Sequence, residues 1–171
     1  MKNKLNFSYC FLMVILFLSC GKSKNKELLE MDELLKLYKK DLILKSESYY
    51  LMQMFNFYVN NDKSIYELLP YAIYVAETDD YIFSYQLIYL ATLNKYVDYK
   101  TIDSKNHIDY FDQLTEKDKI LVLNYLAKGA ENNDPVCLGY IIDIYSKQND
   151  QKMVEYFSSK EKIYNHIRIV N

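Results

Sequence analysis

Asp103, His107, Asp109 and Asp112 are the residues of this 171-residue chain best placed to do chemistry. An imidazole with carboxylates a few residues away can work as a general acid or base, or share a metal ion. On a short helix Asp103 and His107 share a face, because residues four apart lie one above the other. The surrounding stretch is polar and weakly periodic, which favours a solvated loop over a site. Nothing else in the chain competes. Three glycines in all exclude a phosphate-cradling loop and a dinucleotide fingerprint. No cysteine pair has metal-ligand spacing, and His166 lies 59 residues from His107. No catalytic residue, metal site or cofactor is expected; an enzyme working through His107 and its carboxylates is the less favoured alternative.

The N-terminus offers a different chemistry, at Cys20. Met1-Lys2-Asn3-Lys4 is followed by an apolar run from Phe7 to Leu18 and then by Ser19-Cys20-Gly21. A basic start, about a dozen apolar residues and a small residue before the cut make a secretory signal peptide. The run is too short to span a bilayer core, which needs roughly 20 apolar residues. Phe17-Leu18-Ser19-Cys20 resembles the lipobox of bacterial lipoproteins, with Phe17 and Leu18 departing from the usual leucine-then-small order. The resemblance implies that the Cys20 thiol receives a diacylglycerol and that the leader, 1–19, is removed. Residues 20–26 then form a lipidated tether reaching at most about 20 Å from the membrane, and 27–171 form the domain.

Loss of Lys2 and Lys4 with the leader leaves 19 basic against 23 acidic side chains. No basic patch remains outside Lys22, Lys24 and Lys26, so a nucleic-acid partner is not expected. The expected place is the bacterial envelope, facing the periplasm, with a membrane held only through the lipid. Cys137 has no partner for a disulfide once Cys20 is acylated, and its apolar neighbours Val136, Leu138 and Ile141 mark it as a small buried hydrophobe. The nineteen tyrosines accompany many Lys, Asn and Ile, all with A/T-rich codons, so their number by itself is not a functional signal.

The elements that position these residues are helices separated by short polar breaks. Leu28, Met31, Leu35, Tyr38 and Leu42 mark a first helix from Lys26 to Leu44, and Leu51, Met54, Phe55 and Tyr58 a second from Glu47 to Asn60. Ser64-Ile65-Tyr66-Glu67 reads as a capping box opening a third helix, with Ile65, Leu69, Ala72 and Ala76 inward and a kink or fresh start at Pro70. Thr78-Asp79-Asp80 breaks that helix and caps a fourth, which runs to about Lys95 with Phe83, Leu87 and Leu90 inward. Tyr96 to Leu114 holds at most one short helix, around Ile108 and Phe111. Thr115 and Asp118 resemble a second capping box before a fifth helix, with Ile120, Leu123, Ala127 and Ala130 inward. Asp134 and Pro135 cap and open a sixth, carrying Val136, Tyr140, Ile141 and Ile144. Met153, Val154 and Phe157 lie on a seventh, which Ile163 to Val170 extends. No strands are expected.

Helices three and four superpose on five and six at an offset of 54 residues: Leu69 falls on Leu123, Tyr71 on Tyr125, Glu77 on Glu131 and Asp80 on Asp134. Helix two aligns with helix six at an offset of 87: Leu51 falls on Leu138, Met54 on Ile141 and Tyr58 on Tyr145. The difference, 33, is close to the 34-residue period of helix-turn-helix repeats. Lys128-Gly129-Ala130-Glu131-Asn132-Asn133-Asp134, with Cys137, Ile141 and Tyr145 behind it, resembles a Sel-like repeat, a relative of the tetratricopeptide repeat. Gly129 stands where that family has alanine, Asn133 where it has glycine, and Ile142 where a second glycine is usual. The expected fold is therefore all-α: about three helical hairpins in a short α-solenoid, with an insertion at about 96–114. Glu77, Asp80, Glu131 and Asp134 recur with the repeat and suit helix ends.

Tyr81, Tyr85 and Tyr89 are spaced by four, opposite Phe83, Leu87 and Leu90, and Tyr66 and Tyr74 lie outside the apolar face of helix three. Exposed tyrosine stripes suit recognition, since each ring offers large contact area and a polar tip; packing between repeats would use the same spacing. The expected partner is another protein. Sel-like lipoproteins also resemble immunity-type factors that neutralise a toxin arriving in the periplasm, which is the alternative within that class.

Overall fold

In the computed structural model the described residues are 32–43, 48–103 and 105–170, with side chains as far as 161. The leader, Cys20, the tether, Leu28, Met31 and the start of the second helix at Glu47 lie outside them. Every regular element described is helical, and the order follows the apolar stripes: α1 over 32–43, α2 Tyr49–Asn60, α3 Leu69–Thr78, α4 Ile82–Asn94, α5 His107–Asp112, α6 Glu116–Glu131, α7 Pro135–Lys147 and α8 Gln151–Val170. Short 3-10 turns sit at Ile65–Leu68 and Tyr99–Thr101. No helix among the described residues is long and apolar enough to cross a membrane. The hairpins α3–α4 and α6–α7 pack side by side through α4 and α6, and α8 closes on α7. This is an all-α, helical-hairpin repeat fold.

The turns are built from asparagine and aspartate. Asp62, Asp80, Asn133 and Asn149 have positive φ, from 49° to 61°, a conformation that short polar side chains tolerate better than most. After three of these helices the closing bond reaches back five residues: Lys63 N–H to Tyr58 O (2.9 Å), Asp134 N–H to Gly129 O (3.0 Å) and Asp150 N–H to Tyr145 O (3.0 Å). This is the Schellman closure, normally made with glycine at the left-handed position. The turns after α2 and α7 match at the offset of 87, in both the left-handed residue and the closing bond. The α3–α4 and α6–α7 turns match at 53, one less than the sequence alignment gives. Helix ends pair Thr78 with Glu131, left-handed residues Asp80 with Asn133, and helix starts Ile82 with Pro135.

Two caps form as expected. The Thr115 hydroxyl accepts from Asp118 N–H (3.2 Å), and the Asp134 carboxylate accepts from the amides of Val136 (3.1 Å) and Cys137 (3.4 Å). The Ser64 box does not form. The Ser64 hydroxyl donates to Asn94 Oδ1 (2.8 Å) and Glu67 accepts from the Tyr58 hydroxyl (2.8 Å), so a 3-10 turn precedes α3 and Pro70 sits in the first turn of that helix, where it does no damage. Asp80 does not cap α4 either; its carboxylate takes the Tyr85 hydroxyl at 2.5 Å. Asp118 leaves its box and receives Lys95 and Tyr96.

The buried faces agree with the sequence in part. Leu35, Leu42, Leu51, Met54, Tyr58, Ala72, Ala76, Ile141, Ile144 and Phe157 are buried as expected. On α6 the face is turned: Val122, Leu126, Gly129 and Ala130 are inside and Ile120 is 61% exposed. On α7 Val136 is outside and Cys137 and Leu138 are inside. On α4 the expected stripe of Phe83, Leu87 and Leu90 is only one side of a helix buried nearly all round, covered by α3, α5, α6 and α7.

Gly129 is where α6 comes closest to its neighbours. A Cβ there would lie 2.6 Å from Cys137 Sγ, 3.0 Å from Cys137 Cβ and 3.1 Å from Tyr85 Cβ. Glycine is required because a thiol occupies the space a methyl group would need. Gly129→Ala is expected to destabilise the fold by up to about 2 kcal/mol, since overpacking costs roughly 1–3 against a helix-propensity gain of about 1. Urea unfolding of Gly129→Ala, Cys137→Ala and the pair checks the cause: removing the sulfur should recover most of the loss, with a coupling of about 0.5–2 kcal/mol. Strict additivity would put the strain elsewhere.

Candidate functional site

The expected tyrosine stripe on α4 is not a surface. Tyr85 is 1% exposed and Tyr89 fully buried, because α4 is an interior helix with neighbours on both sides. The Tyr85 ring lies 6.4 Å from that of Tyr125 on α6, and Tyr89 packs edge-on against Tyr140 on α7 at 4.9 Å. Tyr81 is half-buried over Phe83. Tyr74 is half-buried and donates to Ile43 O at 3.3 Å. Of the five candidates only Tyr66, on the 3-10 turn, is classed as exposed, with the Lys95 ammonium 6.0 Å above its ring. The five do not gather into one face.

His107 is not in a loop. It opens α5 with no exposed surface. Its Nδ1 meets the Tyr89 hydroxyl at 2.8 Å and its Nε2 meets Asp143 Oδ2 at 3.3 Å. A carboxylate only accepts, so Nε2 carries the proton and Nδ1 accepts from Tyr89. The Tyr140 ring lies 4.7 Å away. Burial pulls His107 below the ordinary histidine value, with Asp143 opposing. The three carboxylates expected around it go elsewhere. Asp103 Oδ1 accepts from the amides of Lys105 (2.8 Å) and Asn106 (2.9 Å), which holds its pKa down. Asp109 and Asp112 pair with Lys147 on α7, at 2.8 and 2.7 Å. The carboxylate that does reach His107, Asp143, comes from 36 residues away; Tyr140 and Asp143, three apart on α7, were its only sequence trace. Among the described residues no group of three or more His, Cys, Asp or Glu could hold a metal ion. Tyr89, His107 and Asp143 therefore form a polar clasp fixing the insertion to α4 and α7.

The open feature of the repeat lies between α3 and α6. Two adjoining hollows of about 250 and 530 Å³ share Glu77, Lys128 and Glu131 as walls. Glu77 accepts from Lys128 (2.8 Å) and the Tyr125 hydroxyl (2.7 Å), which in that order hold its carboxyl below the usual range. Burial, with Glu77 adding, pushes the Tyr125 hydroxyl up to about 12. Leu121 and Asn124 complete the α6 wall of the larger hollow, and Tyr85 with Asp80 and Asn132 floors the smaller. Aromatic rings, one ammonium and several carboxylates make a polar trough. A second polar cleft, about 400 Å³, lies where the α2 turn meets 94–100. Its lysines are engaged: Lys63 with Asp32, Lys95 with Asp118, Lys100 with Asp62.

No model of a known protein family matches the chain, and neither do curated proteins or solved structures. The residues themselves carry the functional argument.

The two roles open to tyrosine separate in one measurement. Tyr85→Ala is expected to lower unfolding free energy by about 3–5 kcal/mol, as large aromatic truncations in cores do. Tyr66→Ala should stay within about 0.5 kcal/mol of the parent. Equal, small effects in urea titrations would return Tyr85 to the list of surface residues.

Proposed function

We propose that this chain is an envelope lipoprotein, anchored through Cys20, whose helical repeats bind another protein. The observation that carries the binding role is the trough between α3 and α6. α3 and α6 both flank the successive hairpins and are bridged by Glu77 with Tyr125 and Lys128, leaving a groove of the kind repeat scaffolds use for recognition. Its walls carry Tyr125, Leu121 and Asn124 beside the Glu77–Lys128 pair, so a partner meets apolar area and directional polar groups together. The anchor rests on the order of the N-terminus: basic start, apolar run, then Ser19-Cys20-Gly21. Tyr66, beside the second cleft, is a further contact candidate.

Two outcomes follow. The protein should partition with membranes into detergent, and Cys20→Ala should lose its acyl chain and stay uncleaved; a soluble wild type with an unmodified N-terminus would retire the anchor. Asn124→Arg, at an exposed trough position, should weaken partner capture from envelope extracts about tenfold or more, a hot-spot-sized loss, while the melting temperature stays unchanged. Unaltered capture would move the contact surface away from α6.

A further inference from the structure

The helix α5 has six residues, too few to be stable alone. Three attachments hold it to the body: the buried Phe111 with Leu114 behind it, the Lys147 pairs with Asp109 and Asp112, and the His107 clasp. Of these only the imidazole changes charge in the mildly acidic range.

The clasp is built for the neutral ring. Nε2 already donates to Asp143, so an added proton goes to Nδ1. Nδ1 faces the oxygen of Tyr89 at 2.8 Å, and the Tyr89 hydroxyl hydrogen occupies that line. It would have to turn to its other acceptor, the His107 carbonyl oxygen, at the longer distance of 3.3 Å. The new charge would sit where the side chain has no exposure, facing Asp143, whose side chain is 49% exposed and therefore screened by solvent. Among the remaining neighbours Asp103 and Asp109 also favour the charged ring, but burial outweighs them. From α4 comes the neutral Tyr89. From α7 come the neutral Tyr140 and the cation Lys147. On its own segment Asp109 and Asp112 are spent on Lys147, and Asp103 on two backbone amides.

We propose that α5 is an acid-released latch: protonation of His107 frees the 105–114 segment from α4 and α7 and bares the rings of Tyr89 and Tyr140. The direction of the pKa shift supports this. Free imidazole takes its proton near 6.5, the folded one at lower pH, so below 6.5 the open form binds more protons and gains population. One proton changes the opening equilibrium by at most about tenfold per pH unit; above about 7.5 nothing changes, and below the folded pKa the gain levels off.

Amide exchange of the full chain in detergent, corrected for intrinsic rates, reads the opening directly. Between about pH 7.5 and 5.5 the 105–114 amides should exchange faster, by up to about tenfold, with α6 and α7 amides unchanged. His107→Gln should make 105–114 exchange independent of pH, whether the segment settles closed or open. Asp143→Asn, which keeps an acceptor for Nε2 but removes its charge, should retain the response and extend it to lower pH. A resolved NMR titration of the His107 ring should give a pKa below 6.5, with Tyr89 ring signals moving in step. The proposal is overturned if wild-type exchange at 105–114 is flat, if all helices loosen together, if His107→Gln keeps the pH response, or if His107 titrates at or above 6.5.

Discussion

Because α4 is buried nearly all round, its hydroxyls must find their partners inside the protein. An unmet buried hydroxyl costs of the order of 1–3 kcal/mol, and among the described residues no buried side-chain polar atom is left without one. Ser84 donates to Tyr81 O (2.6 Å) and Thr92 to Ile88 O (2.7 Å), both within their own helix. Tyr85 and Tyr89 are too long for that solution. Tyr85 is met by Asp80 in the preceding turn, which explains why that aspartate caps nothing. Tyr89 is met by His107, which explains why a polar insertion docks against the middle of the repeat. Gln86, on the same helix, donates to both oxygens of Asp134 (3.0 and 2.9 Å) and so ties α4 to the next turn. The arrangement of neighbours around α4 follows from the polar atoms it carries.

The helical class, the breaks and two of the caps were legible in the sequence because they depend on local physics. A Thr115 hydroxyl three residues before an amide, or Asp134 before Pro135, does the same work in any fold. What failed was non-local. Ser64 lost its capping role to Asn94, thirty residues on. The phase of α6 was misread because Leu123 and Ala127 lie at the edge of the stripe and Ile120 is an exposed hydrophobe. α4 gave no usable phase at all, since a helix buried on several sides has apolar residues all round.

The candidate site was read less well than the fold, for the same reason. The polarity of 96–114 suggested solvent, yet its one imidazole is buried and its four carboxylates are diverted, Asp109 and Asp112 to Lys147, Asp98 and Asp103 to backbone amides. Asp143, the carboxylate that matters, stands in a helix that otherwise reads as plain core. Tyrosines at a spacing of four fitted either recognition or packing, and only the cover supplied by α6 and α7 decides for packing at Tyr85 and Tyr89. The α3–α6 trough had no local signature, because its pieces come from separate repeats.

The turns after α2 and α7 are the same object made twice, Tyr58 to Lys63 and Tyr145 to Asp150, with Asp62 and Asn149 in the same left-handed conformation. The stretch between them is thereby a cassette with matching ends. A crossover between the two turns would delete or duplicate it with the same local joint at the seam, a left-handed residue and a closing bond reaching back five residues. Joining the inner turns, which match at 53, would instead put α7 in the place of α4, whose buried hydroxyls are met by Asp80 and His107.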